Sequence, residues 1–168
     1  MVKSIWKGEE DVKLFLDKEN KSIKIQGALG ECVQVFQGKD ILFDTNKVLI
    51  KSKSSLGYFN SRMKSLLNGV SYGYFIELQI VGRGFRFVDL VDRLLVKLGY
   101  THYIELNSSA LKGVKIVGSR NSVLIFGMDL EEVNRVGGLI RNFMVPEAYK
   151  GKGICYAGEE IKLKVGKK

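Results

Sequence analysis

One stretch decides how this chain is interpreted: Val145-Pro146-Glu147-Ala148-Tyr149-Lys150-Gly151-Lys152-Gly153-Ile154-Cys155-Tyr156. It follows the strongest helix pattern in the sequence, and Pro146 ends that helix because its ring lacks the N–H needed to continue the backbone ladder. Gly151 and Gly153 have no Cβ, so the backbone can turn sharply and come close to a ligand. Lys150 and Lys152, which alternate with these glycines, carry ammonium groups suited to phosphate. The alternative is a glycine-rich turn with solvated lysines.

Composition indicates a basic protein with a core of its own. The chain has 168 residues, 45% hydrophobic residues, a formal charge of +9 and a pI near 9.5. This charge predicts an anionic partner, either nucleic acid or an anionic membrane surface. No apolar run reaches the roughly 18 residues of a membrane span. The first twelve residues are acidic and predict neither a signal peptide nor a transit peptide. Cys32 and Cys155 lack metal-ligand spacing and are expected to be reduced thiols.

The first half of the sequence predicts small antiparallel sheets followed by a helix. Short β-branched and apolar runs separated by polar turns predict five strands, at 12–17, 22–26, 32–36, 41–43 and 48–50. Polar turns are expected at 18–21 and 44–46. The period then changes, and Phe59, Met63, Leu66 and Val70 recur at helical spacing. Ser54 or Ser55 is the expected N-cap, and Gly69 or Gly73 the expected end.

The second half repeats this order of elements. Six runs predict strands, at 75–81, 85–88, 94–98, 103–106, 114–117 and 123–126. A second helix begins after Asp129, with Glu132 placed as in a capping box. Its apolar stripe comprises Leu130, Val133, Val136, Ile140, Phe143 and Met144. The pair Gly137-Gly138 within this helix predicts a close approach to a sheet.

The predicted fold is therefore α+β, with two similar domains that each pack a small, mainly antiparallel sheet against one helix. The expected boundaries are 1–81 for the first domain, 82–145 for the second and 146–168 for a basic C-terminal extension that binds RNA. The domains are expected to join near residues 80–84.

Few residues are suited to catalysis. The chain has a single histidine, His102, which rules out a two-histidine metal site. Asp89 and Asp92 could form a carboxylate pair, although a solvated loop is the simpler interpretation. No nucleotide-binding or nucleophile motif is present. The sequence therefore predicts no catalytic residue, no metal, no cofactor and no small-molecule substrate, and an enzyme acting on an anionic substrate is the least favoured interpretation.

Basic residues near glycines and aromatic residues favour binding to RNA. In the segment 82–87, Arg83 and Arg86 lie in an aromatic strand that partly matches the RNP1 strand of an RRM. A stand-alone, RRM-like RNA-binding module is therefore one interpretation of the chain, although Arg86 and Leu90 depart from the motif and no helix follows the first strand. Lys112, Lys115 and Arg120 surround loops of the second half. Four lysines make the tail basic: Lys162, Lys164, Lys167 and Lys168.

The chain resembles the large-subunit ribosomal protein L-six family along nearly its whole length. The resemblance is carried by four segments in order: residues 11–27, 67–86, 98–102 and 146–156 with Glu159. The last of these, Pro-Glu-x-Tyr-Lys-Gly-Lys-Gly-Ile-x-Tyr, is the most specific. The sequence departs from the family pattern at Ala148, Tyr103 and Cys155, the last of which stands where a basic residue is usual.

This resemblance implies two related α+β domains and a structural, non-enzymatic protein of the large ribosomal subunit. It implies binding to large-subunit ribosomal RNA near the factor-binding region and the sarcin-ricin loop, contacts with neighbouring ribosomal proteins, transient proximity to translation factors and no membrane partner. Residues Tyr149 to Gly153 carry over from the family as RNA contacts. Together with the residues chosen for their chemistry, the predicted RNA-binding set is Tyr149, Lys150, Gly151, Lys152, Gly153, Tyr156, Arg83, Arg86, Lys115, Arg120, Lys162 and Lys164. The departures favour a divergent member on a ribosome of the mitochondrial matrix, ahead of a plastid or a bacterial cytoplasm.

Overall fold

The chain forms two compact units, Met1–Gly73 and Tyr74–Lys168. The computed structural model describes residues 2–3, 12–17, 19–36, 41–43, 48–50, 52–90, 93–107, 111 and 113–165. Each unit combines small antiparallel sheets with one helix, which confirms the predicted α+β class.

In its described part, the first unit places short strands before its helix. The strands are β1 (Val2–Lys3), β2 (Lys13–Asp17), β3 (Ser22–Gly27), β4 (Gly30–Val35), β5 (Ile41–Phe43) and β6 (Val48–Ile50), and the helix is α1 (Lys53–Ser71). They form two antiparallel sheets, with strand orders β2-β3-β4 and β1-β6-β5. The five predicted strands are confirmed. The expected turn at 44–46, and Lys18 of the first turn, lie outside the described residues.

Helix α1 turns the predicted apolar stripe into the core of the first unit. Phe59, Met63, Leu66 and Val70 are buried, and Phe36 packs its ring 4.9 Å from that of Phe59. The helix packs on the face of β3 that carries buried isoleucines. Alternation of apolar and polar residues along β3 therefore sets which face the helix covers.

The ends of α1 differ in part from the prediction. The N-cap is Ser52, and not Ser54 or Ser55. The Ser52 hydroxyl lies 2.9 Å from that of Ser54, so these two side chains bond each other, and Ser52 occupies the N-cap position without a side-chain hydrogen bond to the helix backbone. At the other end the Tyr72 N–H donates to a carbonyl one turn back, and Gly73 then leaves the helix with a φ of 77°, as one of the two predicted ends.

The second unit places four strands on one sheet and three on another. Its elements are β7 (Tyr74–Val81), β8 (Arg86–Asp89), β9 (Arg93–Lys97), β10 (Ile104–Asn107), β11 (Val114–Gly118), β12 (Ser122–Gly127), α2 (Leu130–Asn142) and β13 (Gly153–Tyr156). The antiparallel sheets have the orders β11-β12-β7-β13 and β10-β9-β8. The six strands predicted in this half are all present.

Helix α2 begins and packs as its sequence predicts. The Asp129 carboxylate accepts a hydrogen bond from the Glu131 N–H at 3.1 Å, which supplies the expected cap. Val133, Val136 and Ile140 are fully buried, and α2 contacts β7, β12 and β13. An apolar stripe at helical spacing thus buries itself against the sheet, which is the main stabilising contribution in a unit of this size.

The glycine pair of α2 is not required for the predicted close approach to the sheet. Gly137 faces the sheet, but a Cβ built there would meet Ile76 at 3.4 Å and Ile125 at 3.8 Å, which is ordinary contact. Gly138 faces open space. The helix therefore lies on the sheet without needing glycine at either position.

The structure divides the chain at Gly73/Tyr74, whereas the sequence placed the boundary after residue 81 and the junction at 80–84. The reason is β7, which pairs with both β12 and β13 and so belongs to the second unit. The predicted extension after residue 145 is likewise part of this unit, since β13 forms the edge of its four-stranded sheet.

Candidate nucleic-acid interface

The backbone closes residues 147–152 into a turn. The Gly151 N–H donates to the Glu147 carbonyl at 2.8 Å, and the Glu147 N–H donates to the Lys152 carbonyl at 2.9 Å. The Ile154 N–H then donates to the Met144 carbonyl at 2.8 Å, which ties the end of the turn to the chain leaving α2. The segment, called the lysine loop below (residues 147–153), is held by main-chain hydrogen bonds.

Glycine is required on the inner side of the lysine loop. Gly151 has a φ of 66° and Gly153 a φ of 145°, conformations that L side chains rarely adopt. A Cβ on Gly153 would lie 2.8 Å from the Met144 carbonyl oxygen and from two backbone atoms of Pro146. Both glycines are buried. They therefore shape the loop, and the Gly151 N–H is already bonded to the Glu147 carbonyl.

The side chains of the lysine loop point outward. Lys150 and Lys152 are exposed, and Tyr149 is 56% exposed. Two ammonium groups and one aromatic face therefore stand on a rigid turn. Such an arrangement suits phosphate groups and a base or sugar next to them.

Tyr156 is committed to packing within the unit. The Arg141 guanidinium lies over its ring, 5.5 Å from the centroid, and donates to the Glu159 carboxylate at 2.7 Å. The Tyr156 N–H donates to the same carboxylate at 3.1 Å. The hydrogen bond from Arg141 is the main cause that holds the pKa of Glu159 below its ordinary value, and the bond from the Tyr156 N–H is a further one. The ring that the sequence offered for stacking is half-buried and has one face covered by Arg141.

The tail, residues 157–165 of the described chain, folds back onto the lysine loop. The Lys164 N–H donates to the Ala148 carbonyl at 2.8 Å, and side-chain atoms of Ile161 and Leu163 lie within 4 Å of the Cβ that Gly151 would carry. Lys162 and Lys164 are exposed. The structure thus brings these two predicted lysines close in the fold to Lys150 and Lys152, whereas Lys167 and Lys168 lie outside the described residues.

Cys155, at the position where the family usually has a basic residue, has a buried side chain on β13. It is 7% exposed, and its Sγ donates to the Gln79 carbonyl at 3.6 Å. Burial raises the pKa of this thiol. The position therefore contributes a neutral side chain to the packing of β13 and no charge to the surface.

A second basic region lies at the turn that follows β7. A cavity of about 400 Å³ is lined there by Gly82, Gly84, Phe85, Arg86, Lys97, Arg120 and Asn121. It unites Arg86 and Arg120 of the predicted set, and Arg83 is exposed on the same turn. Lys97 was not in the predicted set, because only the pairing of β8 with β9 places it opposite Arg86.

Lys115 belongs to neither basic region. It is exposed on β11, opposite Phe126, and it does not line the cavity. Lys112 lies outside the described residues. The predicted set therefore divides into the lysine loop with its tail, the turn after β7 with its cavity, the packed ring of Tyr156, and Lys115 alone.

The segment that resembled an RRM strand has a different setting. Only residues 86–89 form β8, at the edge of a three-stranded sheet, and residues 82–85 form the turn that precedes it. The Phe85 ring packs against Gly82 and Gly99, where added Cβ atoms would lie 2.3 Å and 3.2 Å from ring carbons. A ring held in this way serves as a packing element and does not offer a free face for a base.

The residues considered for catalysis are used structurally or lie apart. The Asp89 carboxylate accepts a hydrogen bond from the Gly118 N–H at 2.8 Å, while Asp92 lies outside the described residues. His102 stacks on Tyr100 with ring centroids 6.4 Å apart. Within the described part of the chain, no group of three or more His, Cys, Asp or Glu residues is placed to hold a metal ion. Neither α1 nor α2, the helices described, is long and apolar enough to cross a membrane.

Comparison with known proteins gives the family. The chain is 33% identical over 159 residues to large ribosomal subunit protein uL6 of Syntrophus aciditrophicus, covering 90% of this chain and 88% of that protein. It is 33% identical over 165 residues to the uL6 of Thermosipho melanesiensis, covering 89% of each. This chain belongs to the large ribosomal subunit protein uL6 family. The predicted L-six resemblance is thereby confirmed.

Two further comparisons refine this result. The chain is 39% identical over 126 residues to the mitochondrial uL6m of Reclinomonas americana, covering 74% of this chain and 66% of that protein. No family model matches the chain. Membership of the uL6 family makes the chain a structural protein of the ribosome and not an enzyme, as the sequence predicted.

Proposed function

We propose that this chain binds large-subunit ribosomal RNA through the lysine loop and the tail that covers it. The observation that carries the proposal is the alternation of exposed and buried residues in the loop: Lys150 and Lys152 face solvent, while Gly151 and Gly153 are buried beneath them. Main-chain hydrogen bonds fix the turn before any ligand arrives, so little conformational entropy is lost when a phosphate binds. The tail lysines Lys162 and Lys164 extend the same positive surface.

The proposal extends to where the protein acts. The family resemblance supports a position near the factor-binding region and the sarcin-ricin loop, with neighbouring ribosomal proteins as permanent partners and translation factors as transient ones. The uL6m relative supports a ribosome of the mitochondrial matrix, although the bacterial relatives are comparably similar. Arg83, Arg86, Arg120 and Lys115 form the remainder of the proposed RNA-contacting set.

The test is the double charge reversal Lys150→Glu with Lys152→Glu. Both side chains are exposed, so the variant is expected to keep its melting temperature. Loss of a single contact to a charged group, worth about 1.5 kcal/mol, already lowers affinity roughly tenfold. Affinity for purified large-subunit ribosomal RNA, measured by filter binding, is expected to fall at least that far.

The matched control is Lys53→Glu with Lys64→Glu, which makes the same change of charge at two exposed positions of α1. It is expected to bind RNA nearly as wild type does. Equal losses in the two double variants would mean that only net charge matters and would refute the loop as the contact. Sedimentation of wild-type protein free of large subunits, before any salt wash, would instead point to a stand-alone RNA-binding module.

A further inference from the structure

The cavity at the turn after β7 collects like charges from three parts of the chain. Arg86 on β8 and Lys97 on β9 are directly opposite each other in the register of the small sheet. Like charges in this cross-strand position destabilise a sheet. The Phe87 N–H donates to the Arg120 carbonyl at 3.0 Å, which fixes the β11–β12 turn beside β8 and adds a third cation to the cavity.

These three cations are treated differently from others in the same unit. Arg93, on the same small sheet, is paired with Glu105 at 3.1 Å, and Arg135 and Arg141 are each paired with a glutamate. None of the seven residues that line the cavity is acidic. The fold thus pairs Arg93, Arg135 and Arg141 with glutamates and places no acidic residue in the lining of the cavity, which is positively charged. Such a concentration of unpaired cations favours an anionic ligand.

The cavity is also shaped in advance. Phe85 closes the turn by donating its N–H to the Gly82 carbonyl at 3.4 Å, and its ring is fixed between two glycines. Lys97 is half-buried, with its ammonium group 5.8 Å from the centroid of the Tyr103 ring. A volume of about 400 Å³ accommodates a phosphate group together with the sugar attached to it. Two guanidinium forks and one ammonium group match the oxygens of such a group.

We propose that this cavity binds one phosphodiester group of RNA, and that Arg86, Lys97 and Arg120 act on it together. The proposal rests on the proposed binding of ribosomal RNA and deepens it in two respects. It assigns Lys97 to the contact, and it makes the three cations a single site for one phosphate. Dispersed surface cations would instead each neutralise a separate phosphate.

The salt dependence of RNA binding distinguishes these arrangements. The logarithm of affinity falls with the logarithm of salt concentration by about 0.7 to 0.9 per phosphate neutralised. The triple variant Arg86→Gln, Lys97→Gln, Arg120→Gln is therefore expected to reduce this slope by roughly 0.7 to 0.9, as for one phosphate. Each single variant is expected to lower affinity for purified large-subunit ribosomal RNA, with the triple variant losing much less than the product of the three losses. A slope reduced threefold as much, with independent losses, would overturn the proposal.

A second measurement does not depend on ribosomal RNA. In ¹⁵N NMR titrations with inorganic phosphate against chloride at constant ionic strength, signals of Arg86, Arg120 and Asn121 are expected to shift together and to saturate. Lys97→Gln is expected to weaken this binding, and Arg93→Gln, a control on the same sheet that also removes one positive charge, is expected to leave it unchanged. Shifts that do not saturate, or that Arg93→Gln alters equally, would refute a discrete site.

The two proposals fail in different ways. Wild-type protein without affinity for ribosomal RNA would remove the proposed function, whereas the phosphate titration would still test the cavity. RNA binding that depends on Lys150 and Lys152, but not on Arg86, Lys97 and Arg120, would remove the cavity proposal and leave the lysine loop as the proposed contact.

Discussion

Gly153→Ala is expected to be the most damaging single-methyl change in the lysine loop. The added Cβ would lie 2.8 Å from the Met144 carbonyl oxygen and from backbone N and Cα of Pro146. All three are backbone atoms, which cannot move aside as the end of a flexible side chain can. A conformation reserved for glycine, here a φ of 145°, costs a non-glycine residue about 1 to 3 kcal/mol. Overpacking adds about 1 to 3 kcal/mol. We expect the variant to lose about 3 kcal/mol or more of its free energy of unfolding.

The loss is measurable by thermal denaturation followed by circular dichroism. For a chain of this length, 3 kcal/mol corresponds to a fall in melting temperature of roughly 6 to 12 °C. The matched control is Gly158→Ala, because Gly158 also has a positive φ, 80°, but faces open space. Both substitutions restrict the unfolded chain equally, so their difference reports the contact with Met144 and Pro146 together with the difference in cost between the two backbone conformations.

The control is expected to lose only about 1 to 2 kcal/mol, the cost of the left-handed conformation. Equal melting temperatures for the two variants would refute the claim that Gly153 is required by close backbone approach. A Gly153→Ala protein that melts with wild type would further show that the 2.8 Å distances are relieved by small movements of the turn.

Two other predictions concern helix α2 and the tail. Gly138→Ala is expected to raise the free energy of unfolding by about 0.5 to 1 kcal/mol, because the new methyl group meets open space and alanine favours a helix; urea denaturation that shows no gain would contradict this. Glu159→Gln is expected to destabilise the unit in a pH-dependent way, since Arg141 and the Tyr156 N–H hold the pKa of Glu159 below its ordinary value of 4.5. A depressed carboxyl pKa stabilises the folded state fully above that value and loses this effect as the pH falls through the folded-state pKa. The difference between wild type and Glu159→Gln should therefore be constant near neutral pH and shrink below pH 4.5, and a difference independent of pH would refute the role of the ion pair.

Local patterns in the sequence were sufficient to predict most individual elements. Asp129 and the stripe of Val133, Val136 and Ile140 each specify α2 within a few residues, because capping and helical periodicity are local properties. Alternating apolar residues identified the strands of the first unit for the same reason. The N-cap of α1 was misplaced because several serines precede the helix, and the sequence alone does not say which of them leaves the helical conformation.

Pairing between distant segments could not be predicted in the same way. β13 has four residues, without a clear alternation, and its partner β7 lies far back in the sequence, with Cys155 bonded to Gln79 across 76 positions. The sequence prediction did not include β13. Without its pairing to β7, β7 was assigned to the first domain, and the predicted boundary fell after residue 81. Lys97 was missed for the same physical reason, since only the register of β8 against β9 places it opposite Arg86.

The lysine loop shows why its short motif was still informative. A turn that must expose cations and also pack against Met144 and Pro146 needs residues of opposite kinds at successive positions. Lysine supplies the charge on the outer side. The inner side has no room for a side chain, and glycine is the only residue that lacks one. The alternation of lysine and glycine along residues 150–153 therefore matches the alternation of outward-facing and inward-facing positions in the turn. For this reason a charge reversal at a lysine and a methyl addition at a glycine should separate RNA affinity from stability within one four-residue segment.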